Sequence, residues 1–359
     1  MPLLDTLPTF HPEALSCAEE ARIRTHAAKL GNLPHVVSLF SGAGGLDWGF
    51  CRNGFEIALA VDKSSSAVST HKKNLRTGEA VCADLVQIGA YGVCELLRRQ
   101  IPSGTSIGVI GGPPCQGFSR ANSFSRPNDP RNNLVQLYLE IIAHLGKYYK
   151  IEFIVFENVL GIKDAKHARV YGALLKGMES LRLRVTEHQL CALDFGVPQT
   201  RNRVVVAAMR SNVDPKLRRR NGFTTVREAI GHLGKPAFFE PNLLPTQIPT
   251  HPNHWTMRPK SSRFSQAPEL WRSGRSFKRT FWDKPSPTIA FGHREIHVHP
   301  SCERRLSIYE AMLLQGFPAN YVLQGNLSEQ VEQISNAVPP PVASSVASSI
   351  RRALLGCGT

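Results

Sequence analysis

Short apolar segments alternate with segments of helical periodicity through the first half of the chain. The clearest apolar segments are 35–40, 57–61, 107–110 and 153–156, and each is followed by a glycine-rich or polar turn. Strands that alternate with helices in this way predict a mostly parallel, doubly wound α/β sheet. Because such sheets bind their ligands beyond the carboxyl ends of the strands, these turns are the candidate functional positions.

The first turn, Ser41–Gly45, contains three glycines and lies between a strand and a helix. Glycines permit a tight backbone and the close approach of a ligand. The dinucleotide fingerprint requires a small residue where this chain has Asp47, which argues against an NAD site. Asp62 ends the next strand, where an acid commonly accepts hydrogen bonds from ribose hydroxyls. Together the turn and Asp62 favour an adenosine-bearing ligand, with a helix-capping role for Asp62 as the alternative.

Cys115 follows a third strand, within the segment 111–119, GGPPCQGFS. The prolines stiffen the backbone before the thiol, and the glycines leave room for a flat substrate. A lone cysteine is more often a buried structural residue, but this setting predicts a nucleophile with a lowered thiol pKa. The eight cysteines lack zinc-ribbon spacing, so we expect thiols and no metal site.

Glu157 and Asn158 end the last of these strands, at the same edge of the predicted sheet. A carboxyl group partly removed from water can act as an acid near neutral pH, although a surface or capping glutamate is the alternative. Further on, Arg201 and Arg203 alternate along an extended segment and therefore share one face. Paired arginines can hold a carboxylate, a phosphate or a base edge, and a solvated strand face is again the alternative.

The chain of 359 residues carries a formal charge of +15, and the excess is concentrated in one region. Between Lys216 and Arg305 there are 17 basic and 6 acidic residues, a net charge of +11. Such a segment is typical of a nucleic-acid-binding surface, although charge alone is equally compatible with a solvated face. The ordinary apolar share of 42% excludes global disorder.

From about Val36 to Ile350, the chain resembles the DNA (cytosine carbon-5) methyltransferase family. The resemblance rests on six motifs that occur in the family's order and with family-like spacing. They are 40–45, Pro114-Cys115-Gln116, Glu157-Asn158-Val159, Gln199-x-Arg201-x-Arg203, 305–318 and 333–338. The family implies the Rossmann-like fold of S-adenosylmethionine-dependent methyltransferases, with a smaller inserted target-recognition domain.

The resemblance also implies a reaction, in which a methyl group passes from S-adenosylmethionine to carbon 5 of cytosine. Cys115 would attack carbon 6, in a covalent mechanism that divides one difficult substitution into easier steps. Glu157 would hold or protonate ring nitrogen 3, and Arg203, together with Arg201, would contact O2. A base inside a duplex cannot meet the thiol, so the cytosine must flip out.

The family's cofactor motifs match a defined set of positions in this chain. Asp62 corresponds to the ribose-binding acid and Asp84 to the contact with the adenine amine, while Lys63 stands where the family usually has an apolar or aromatic residue. The full expected set is Phe40, Gly42, Gly44, Gly45, Leu46, Asp62, Lys63, Asp84, Pro114, Asn336 and Val338.

Two regions are expected to contact DNA. Residues 119–133 resemble the family's loop that closes over flipped DNA, and they contribute Ser119, Arg126 and Arg131. The family places its variable target-recognition region between Arg203 and Arg305, where the basic excess independently indicates nucleic acid. The expected contacts outside the loop are Gln199, Arg258, Arg263, Arg272, Arg275, Lys278, Arg279 and Arg294.

We expect three parts in the chain. Residues 1–34 form an N-terminal extension with a partly helical segment. Residues 35–209 together with 325–359 form the catalytic and cofactor-binding domain, in which the C-terminal helix packs back on the sheet. Residues 210–324 form the target-recognition domain, with irregular backbone in its proline-rich segment and strands over 280–299.

The expected partner is double-stranded DNA, with no membrane and no obligate protein partner. No signal peptide is recognisable, and no apolar run reaches the roughly 20 residues that span a bilayer, so we expect a cytoplasmic, nucleoid-associated monomer. The compact length resembles bacterial restriction–modification enzymes, which implies a short recognition site and a cognate endonuclease acting on it.

Four alternatives remain to be weighed. A tRNA cytosine-5 methyltransferase of the same fold would carry a Cys-Phe-Thr signature, which this sequence lacks. A catalytically inactive DNA-binding relative would have lost the nucleophile or the acid, and this chain retains Cys115 and Glu157. An unrelated dehydrogenase leaves the Pro-Cys motif unexplained, and a basic structural protein makes every motif a coincidence.

Overall fold

The computed structural model describes residues 33–76, 78–114, 118, 133–220, 222–271, 277–289 and 297–356. A seven-stranded sheet lies at its centre, with strand order β3-β2-β1-β4-β5-β8-β6. Its strands are β1 (His35–Leu39), β2 (Ile57–Asp62), β3 (Glu79–Cys82), β4 (Ser106–Gly111), β5 (Lys150–Val159), β6 (Arg184–Cys191) and β8 (Asn202–Met209). Strands β1 to β5 pair in parallel, whereas β8 is antiparallel to both β5 and β6. The predicted doubly wound, mostly parallel sheet is therefore confirmed.

Helices cover both faces of the sheet and begin where the sequence supplies caps. The Ser64 hydroxyl accepts the Ala67 N–H at the start of α2 (Ser65–Asn74), and Asn326 with Glu329 forms a reciprocal capping box at the start of α8 (Leu327–Asn336). Proline at the first position of α9 costs nothing, because its missing N–H would have no partner there. The helices are α1 (Gly45–Arg52), α2 (Ser65–Asn74), α3 (Leu85–Arg98), α4 (Asn133–Leu145), α5 (Ala168–Ser180), α6 (Val226–Ile230), α7 (Ile308–Leu314), α8 (Leu327–Asn336) and α9 (Pro340–Leu354).

Two apolar clusters sandwich the sheet. On one face, α3, α4 and α5 bury side chains such as Leu97, Ile141 and Leu174 against the strands. On the other face, α1 packs against α9, and Phe50 lies in the same cluster as Ile350. The C-terminal helix thus returns to the first strands of the chain, which brings the end of α8 to the edge that carries the glycine turn.

A third apolar cluster joins the later part of the chain to that glycine turn. It contains Val226, Trp255 and Phe317, and also Ala43 from the turn itself. The Tyr321 hydroxyl donates to the Ala43 carbonyl oxygen, which fixes the two regions to each other. Residues from the later part of the chain are therefore packed directly against the glycine turn.

The structure differs from the predicted strands over 280–299. Among its described residues, this segment forms only the two-residue strand β11 (Ser286–Pro287), which pairs with β7 (Gln199–Thr200), and two isolated bridges from Val298, one to Arg279 and one to Arg305. Pro285 and Pro287 cannot donate to a strand ladder, which explains the short pairing. The remaining short strands, β9 (Ala237–Phe238) and β10 (Trp255–Thr256), pair with each other in the proline-rich region. The expected N-terminal helix lies outside the described residues.

Among the described helices, none has the length and apolar character that crossing a membrane requires.

Candidate active site

A cavity of about 420 Å³ opens at the carboxyl ends of the parallel strands. Its wall includes ten of the eleven residues expected at the cofactor, namely Phe40, Gly42, Gly45, Leu46, Asp62, Lys63, Asp84, Pro114, Asn336 and Val338. Gly44 is the exception. It is the N-cap residue of α1 and has a φ of 83°, in the left-handed region that favours glycine. The expected catalytic residues Glu157, Arg201 and Arg203 lie on the same wall.

The glycine turn is held together by the carboxylate of Asp62. One carboxylate oxygen accepts the Gly42 N–H at 2.8 Å, and the other accepts the Ser64 N–H at 2.9 Å. Burial raises the pKa of the Asp62 carboxyl, and these two backbone donors oppose that rise. Each carboxylate oxygen can accept more than one hydrogen bond, so Asp62 retains acceptor capacity toward the cavity.

Gly45 is required by the close approach of the C-terminal tail. A Cβ atom at this position would overlap the backbone carbonyl oxygen of Val338. Since Val338 lies two residues after the end of α8, a side chain at Gly45 would displace the tail from the cavity. The glycine therefore permits the junction between the first and last motifs of the chain.

Asp84 combines a structural and a site position. Its carboxylate accepts the Val86 N–H at 2.8 Å and thereby caps α3, while the residue also lines the cavity. Lys63 lines the cavity too, and its backbone carbonyl accepts a hydrogen bond from the exposed Cys82 thiol. Both residues thus lie at the side of the cavity formed by the ends of β2 and β3.

Glu157 and Arg203 form the charged centre of the site. Arg203 Nε lies 2.9 Å from Glu157 Oε1, and the side chains are 12% and 10% exposed, respectively. Glu157 also lies close to the backbone that precedes Cys115, since a Cβ at Gly112 would be 3.1 Å from Glu157 Oε2. The acid is consequently held between the guanidinium and the Pro-Cys segment.

Asn158 fixes that segment through its side-chain amide. Its nitrogen donates to the Pro113 carbonyl at 3.1 Å, and its oxygen accepts the Val159 N–H at 2.9 Å. Asn158 is buried, so both amide groups are satisfied inside the protein. The contact anchors the backbone two residues before Cys115, which itself lies outside the described residues.

Arg201 differs from Arg203 in what it contacts. It is buried, and its Nη atoms donate to the backbone carbonyls of Ile289, Ser335 and Ala337. Sequence alternation predicted both arginines on one face, and both line the cavity, where Arg203 forms an ion pair with Glu157. These contacts show that Arg201 holds the backbone of Ile289 and of the C-terminal tail at the cavity wall.

The expected DNA contacts separate into several groups. The Gln199 side chain is fully buried and hydrogen-bonded to Leu314, Gln315 and Ile289, so in this conformation it faces the interior of the protein, and its contact with DNA stays a prediction. Arg279 donates to two backbone carbonyls, and Arg263 stacks over the rings of Trp271 and Phe277. Arg258 and Lys278 are exposed. Arg258 Nη2 lies 3.3 Å from Glu240 Oε1. Cys115, Ser119, Arg126, Arg131, Arg272, Arg275 and Arg294 lie outside the described residues.

Two residues of the site were not anticipated from the sequence. Gln315 donates to the Ala337 carbonyl at 2.8 Å, at the wall of the cavity, and Tyr321 donates a hydrogen bond to the glycine turn. Gln315 is a buried amide at the end of an apolar helix, a polar residue in a core position that could have signalled a structural hydrogen bond. For Tyr321 the sequence carries no comparable signal, because its partner is 278 residues away.

The fold and the cavity define a Rossmann-like α/β enzyme with an acid–arginine pair at the wall of the cavity. The chain belongs to the C-5 cytosine-specific DNA methylase family, whose model matches residues 35–352.

Individual relatives agree with this placement, and a solved structure agrees with the fold. The chain is 31% identical to Type II methyltransferase M1.HphI of Haemophilus parahaemolyticus, over 88% of this chain and 86% of that protein. It is 30% identical to Type II methyltransferase M.MthTI of Methanothermobacter thermautotrophicus, over 89% and 98%, respectively. The fold is similar to that of a protein encoded within an E. coli prophage, with a TM-score of 0.71 at 22% identity over 90% of this chain and 99% of that chain.

Proposed function

We propose that this protein transfers a methyl group from S-adenosylmethionine to carbon 5 of cytosine within a short, specific sequence of double-stranded DNA. The observation that carries the proposal is the buried Glu157–Arg203 pair, which lies on the wall of a cavity that also contains a glycine turn and Asp62. The curated relatives named Type II methyltransferases support a place in a restriction–modification system.

The cavity fits the proposed cofactor. Its volume lies within the range of small-molecule sites, and one end presents the Gly42 turn and the Asp62 carboxylate to a ribose. Asp84 and Lys63 flank the position for the base, and Asn336 and Val338 close the wall from the tail. When bound, the cofactor supplies an electrophilic methyl group.

In the proposed reaction, the Cys115 thiolate forms a bond to carbon 6 of the cytosine, which makes carbon 5 nucleophilic. Carbon 5 would then take the methyl group, whose bond to the sulfonium sulfur breaks and leaves S-adenosylhomocysteine. A base would remove the proton from carbon 5, the bond between Cys115 and carbon 6 would break to return the thiolate, and the proton at nitrogen 3 would return to Glu157. Asn158 positions the backbone that leads to this thiol by holding the Pro113 carbonyl. Formation and later cleavage of the bond between Cys115 and carbon 6 thus leave the thiolate as it was before the reaction.

Glu157 and Arg203 handle the charge that thiolate addition creates. A proton held by Glu157 at nitrogen 3 offsets the electron density that enters the ring. Arg203 fixes the Glu157 carboxyl through Nε, and its guanidinium contributes positive charge for the cytosine O2. Arg201 supports this wall by donating hydrogen bonds to the backbone carbonyls of Ser335 and Ala337.

The DNA is bound, in this proposal, by the recognition region 210–324 and by the loop 119–133. Flipping the target cytosine out of the duplex gives the thiol and the acid access to the ring. Exposed cations such as Lys278 and Arg258 supply phosphate contacts, while the residues that read bases belong to the same region. The protein would act as a monomer on chromosomal DNA in the cytoplasm, beside an endonuclease that cuts the same site.

Bisulfite sequencing of DNA from a methylation-free host that expresses the protein tests this proposal. We expect methylated cytosines confined to one short motif, and none with Cys115→Ala. Methylation that persists in Cys115→Ala would contradict the covalent mechanism. Unmethylated DNA with soluble wild-type protein would contradict the DNA substrate, and methylated tRNA in the same cells would then identify the alternative enzyme.

A further inference from the structure

Arg201 joins two parts of the molecule that serve different ligands. Its Nη2 atom donates to the carbonyls of Ser335 at 2.8 Å and Ala337 at 3.0 Å, on either side of Asn336 in the cofactor wall. Its Nη1 atom donates to the carbonyl of Ile289 at 3.3 Å. Ile289 lies in the recognition part of the chain, immediately before residues 290–296.

The contacts to Ser335 and Ala337 place a cation at the C-terminus of α8. The last carbonyls of a helix lack intrahelical partners and carry the negative end of the helix dipole. A buried guanidinium is suited to this end, because its planar group can donate in several directions at once. Arg201 therefore fixes where α8 ends, and with it the position of Asn336.

Gln199, two residues earlier, reinforces the same junction. Its side-chain oxygen accepts the Ile289 N–H at 3.1 Å, and its nitrogen donates to the Gln315 side chain at 2.6 Å. Gln315 in turn donates to the Ala337 carbonyl at 2.8 Å. Ile289 and Ala337 are thus tied together by two routes, one through Arg201 and one through the two glutamines.

We propose that Arg201 is a positioning residue that couples occupancy of the cofactor cavity to the conformation of the recognition segment 286–289. The inference rests on the proposed function, because it takes the cavity as the cofactor site. Any shift of the Ser335–Val338 wall on ligand binding is transmitted to Ile289 through a guanidinium that holds both. By thermodynamic reciprocity, DNA bound at the recognition region changes cofactor affinity by the same factor.

Hydrogen exchange of the full chain, with and without S-adenosylhomocysteine, tests the coupling. In the wild type, the ligand should slow exchange in peptides covering 335–338 and also in those covering 286–289. In Arg201→Met, which keeps only the glutamine route, the ligand should protect 335–338 as in the wild type and 286–289 less than in the wild type. Arg184→Met is the matched control, since that arginine forms an exposed ion pair with Asp214, and it should behave as the wild type.

A second measurement uses calorimetric affinity for S-adenosylhomocysteine, with and without a duplex that carries the methylated site. We expect the duplex to change wild-type affinity by about fivefold or more, and to change that of Arg201→Met less than twofold. Should Arg201→Met not fold, Arg201→Lys retains the charge without the planar group and should show the same loss of coupling.

The outcomes separate the two proposals. Equal protection of 286–289 in the wild type and the Arg201 variants would overturn the role of Arg201, and protection of 335–338 alone in the wild type would overturn the coupling, while the cofactor site stands in both cases. A wild-type protein that binds no S-adenosylhomocysteine would overturn the proposed function, and the coupling with it.

Discussion

Glu157, near the end of β5, forms an ion pair of 2.9 Å with Arg203, near the start of β8. The two strands are antiparallel neighbours, and Val159 lies opposite Arg203 in their register. An acid at the carboxyl edge of a parallel sheet thereby acquires a guanidinium from a strand that runs the other way. Because both side chains are largely buried, each charge depends on the other for its stabilisation.

Replacing Glu157 by Gln should lower the rate of methyl transfer by about 10²–10⁴-fold, because the amide cannot exchange a proton with nitrogen 3 of the cytosine. Arg203→Met should also lower the rate, since it removes the group that orients the acid. Single-turnover transfer of a labelled methyl group to DNA measures both effects. Arg184→Met, at an exposed pair, provides the matched control and should retain the wild-type rate.

The double variant tests whether Glu157 and Arg203 act as a unit. If they do, Glu157→Gln with Arg203→Met should be little slower than the worse single variant, because the second change removes a group already without its partner. Independent roles would instead multiply the two losses. Full activity of Glu157→Gln would exclude proton transfer through this carboxyl.

Gly45→Ala should weaken cofactor binding and lower the melting temperature. Its Cβ would overlap the Val338 carbonyl oxygen, so the tail must move away from the cavity. We expect the dissociation constant for S-adenosylhomocysteine to rise by about tenfold or more. Gly172→Ala in α5 is the matched control, because nothing lies within 4 Å of the added Cβ. That change should be neutral or stabilise the helix by about 0.5–1 kcal/mol, and an equal loss in both variants would contradict the proposed tail contact.

Three buried histidines on the recognition side should make stability depend on pH. Burial lowers the pKa of His251, His297 and His299 to about 4, against 6.5 in an unfolded chain. Between these values the unfolded state binds more protons than the folded state, so the free energy of unfolding falls as the pH falls from 6.5 toward 4. Each histidine contributes on the order of 1–3 kcal/mol to that loss.

Thermal unfolding between pH 7.5 and 4.5 measures this dependence. The melting temperature should be steady above pH 7 and should fall progressively below pH 6.5. His299→Gln removes one titrating group, so its melting temperature should fall less over the same interval, whatever its value at pH 7.5. Stability that rises on acidification would show that these rings are not held neutral by the fold.

The sequence predicted the site where local patterns were sufficient. The ends of β1, β2, β4 and β5 could be located from apolar runs, and parallel pairing then brings Gly42, Asp62 and Glu157 to one edge. The role of Arg201 could not be predicted, because the alternation argument assumed one continuous strand. In the structure Arg201 lies between β7 and β8, which pair with different partners, and its acceptors are 88 to 136 residues away.

The roles of single residues in the basic region could not be predicted from the sequence either. Its composition indicated nucleic acid, but a sequence cannot separate arginines that face solvent from those that hold the backbone. Arg279 illustrates the second kind, since it donates to the carbonyls of Pro268 at 2.7 Å and Pro300 at 3.0 Å. Lys278, its neighbour, is exposed. Adjacent residues of equal charge therefore have different expected roles.

Lys278→Gln should consequently affect DNA binding, whereas Arg279→Gln should affect stability. Lys278→Gln should leave the melting temperature unchanged, weaken binding to any duplex, and reduce the slope of log affinity against log salt by about 0.9, as expected for one lost phosphate contact. Arg279→Gln should lower the melting temperature, because two carbonyls lose a charged donor. Fluorescence anisotropy of a labelled duplex between 50 and 200 mM salt, together with thermal unfolding, separates the two effects. An unchanged salt slope in Lys278→Gln would remove this residue from the DNA surface, and an unchanged melting temperature in Arg279→Gln would contradict its backbone role.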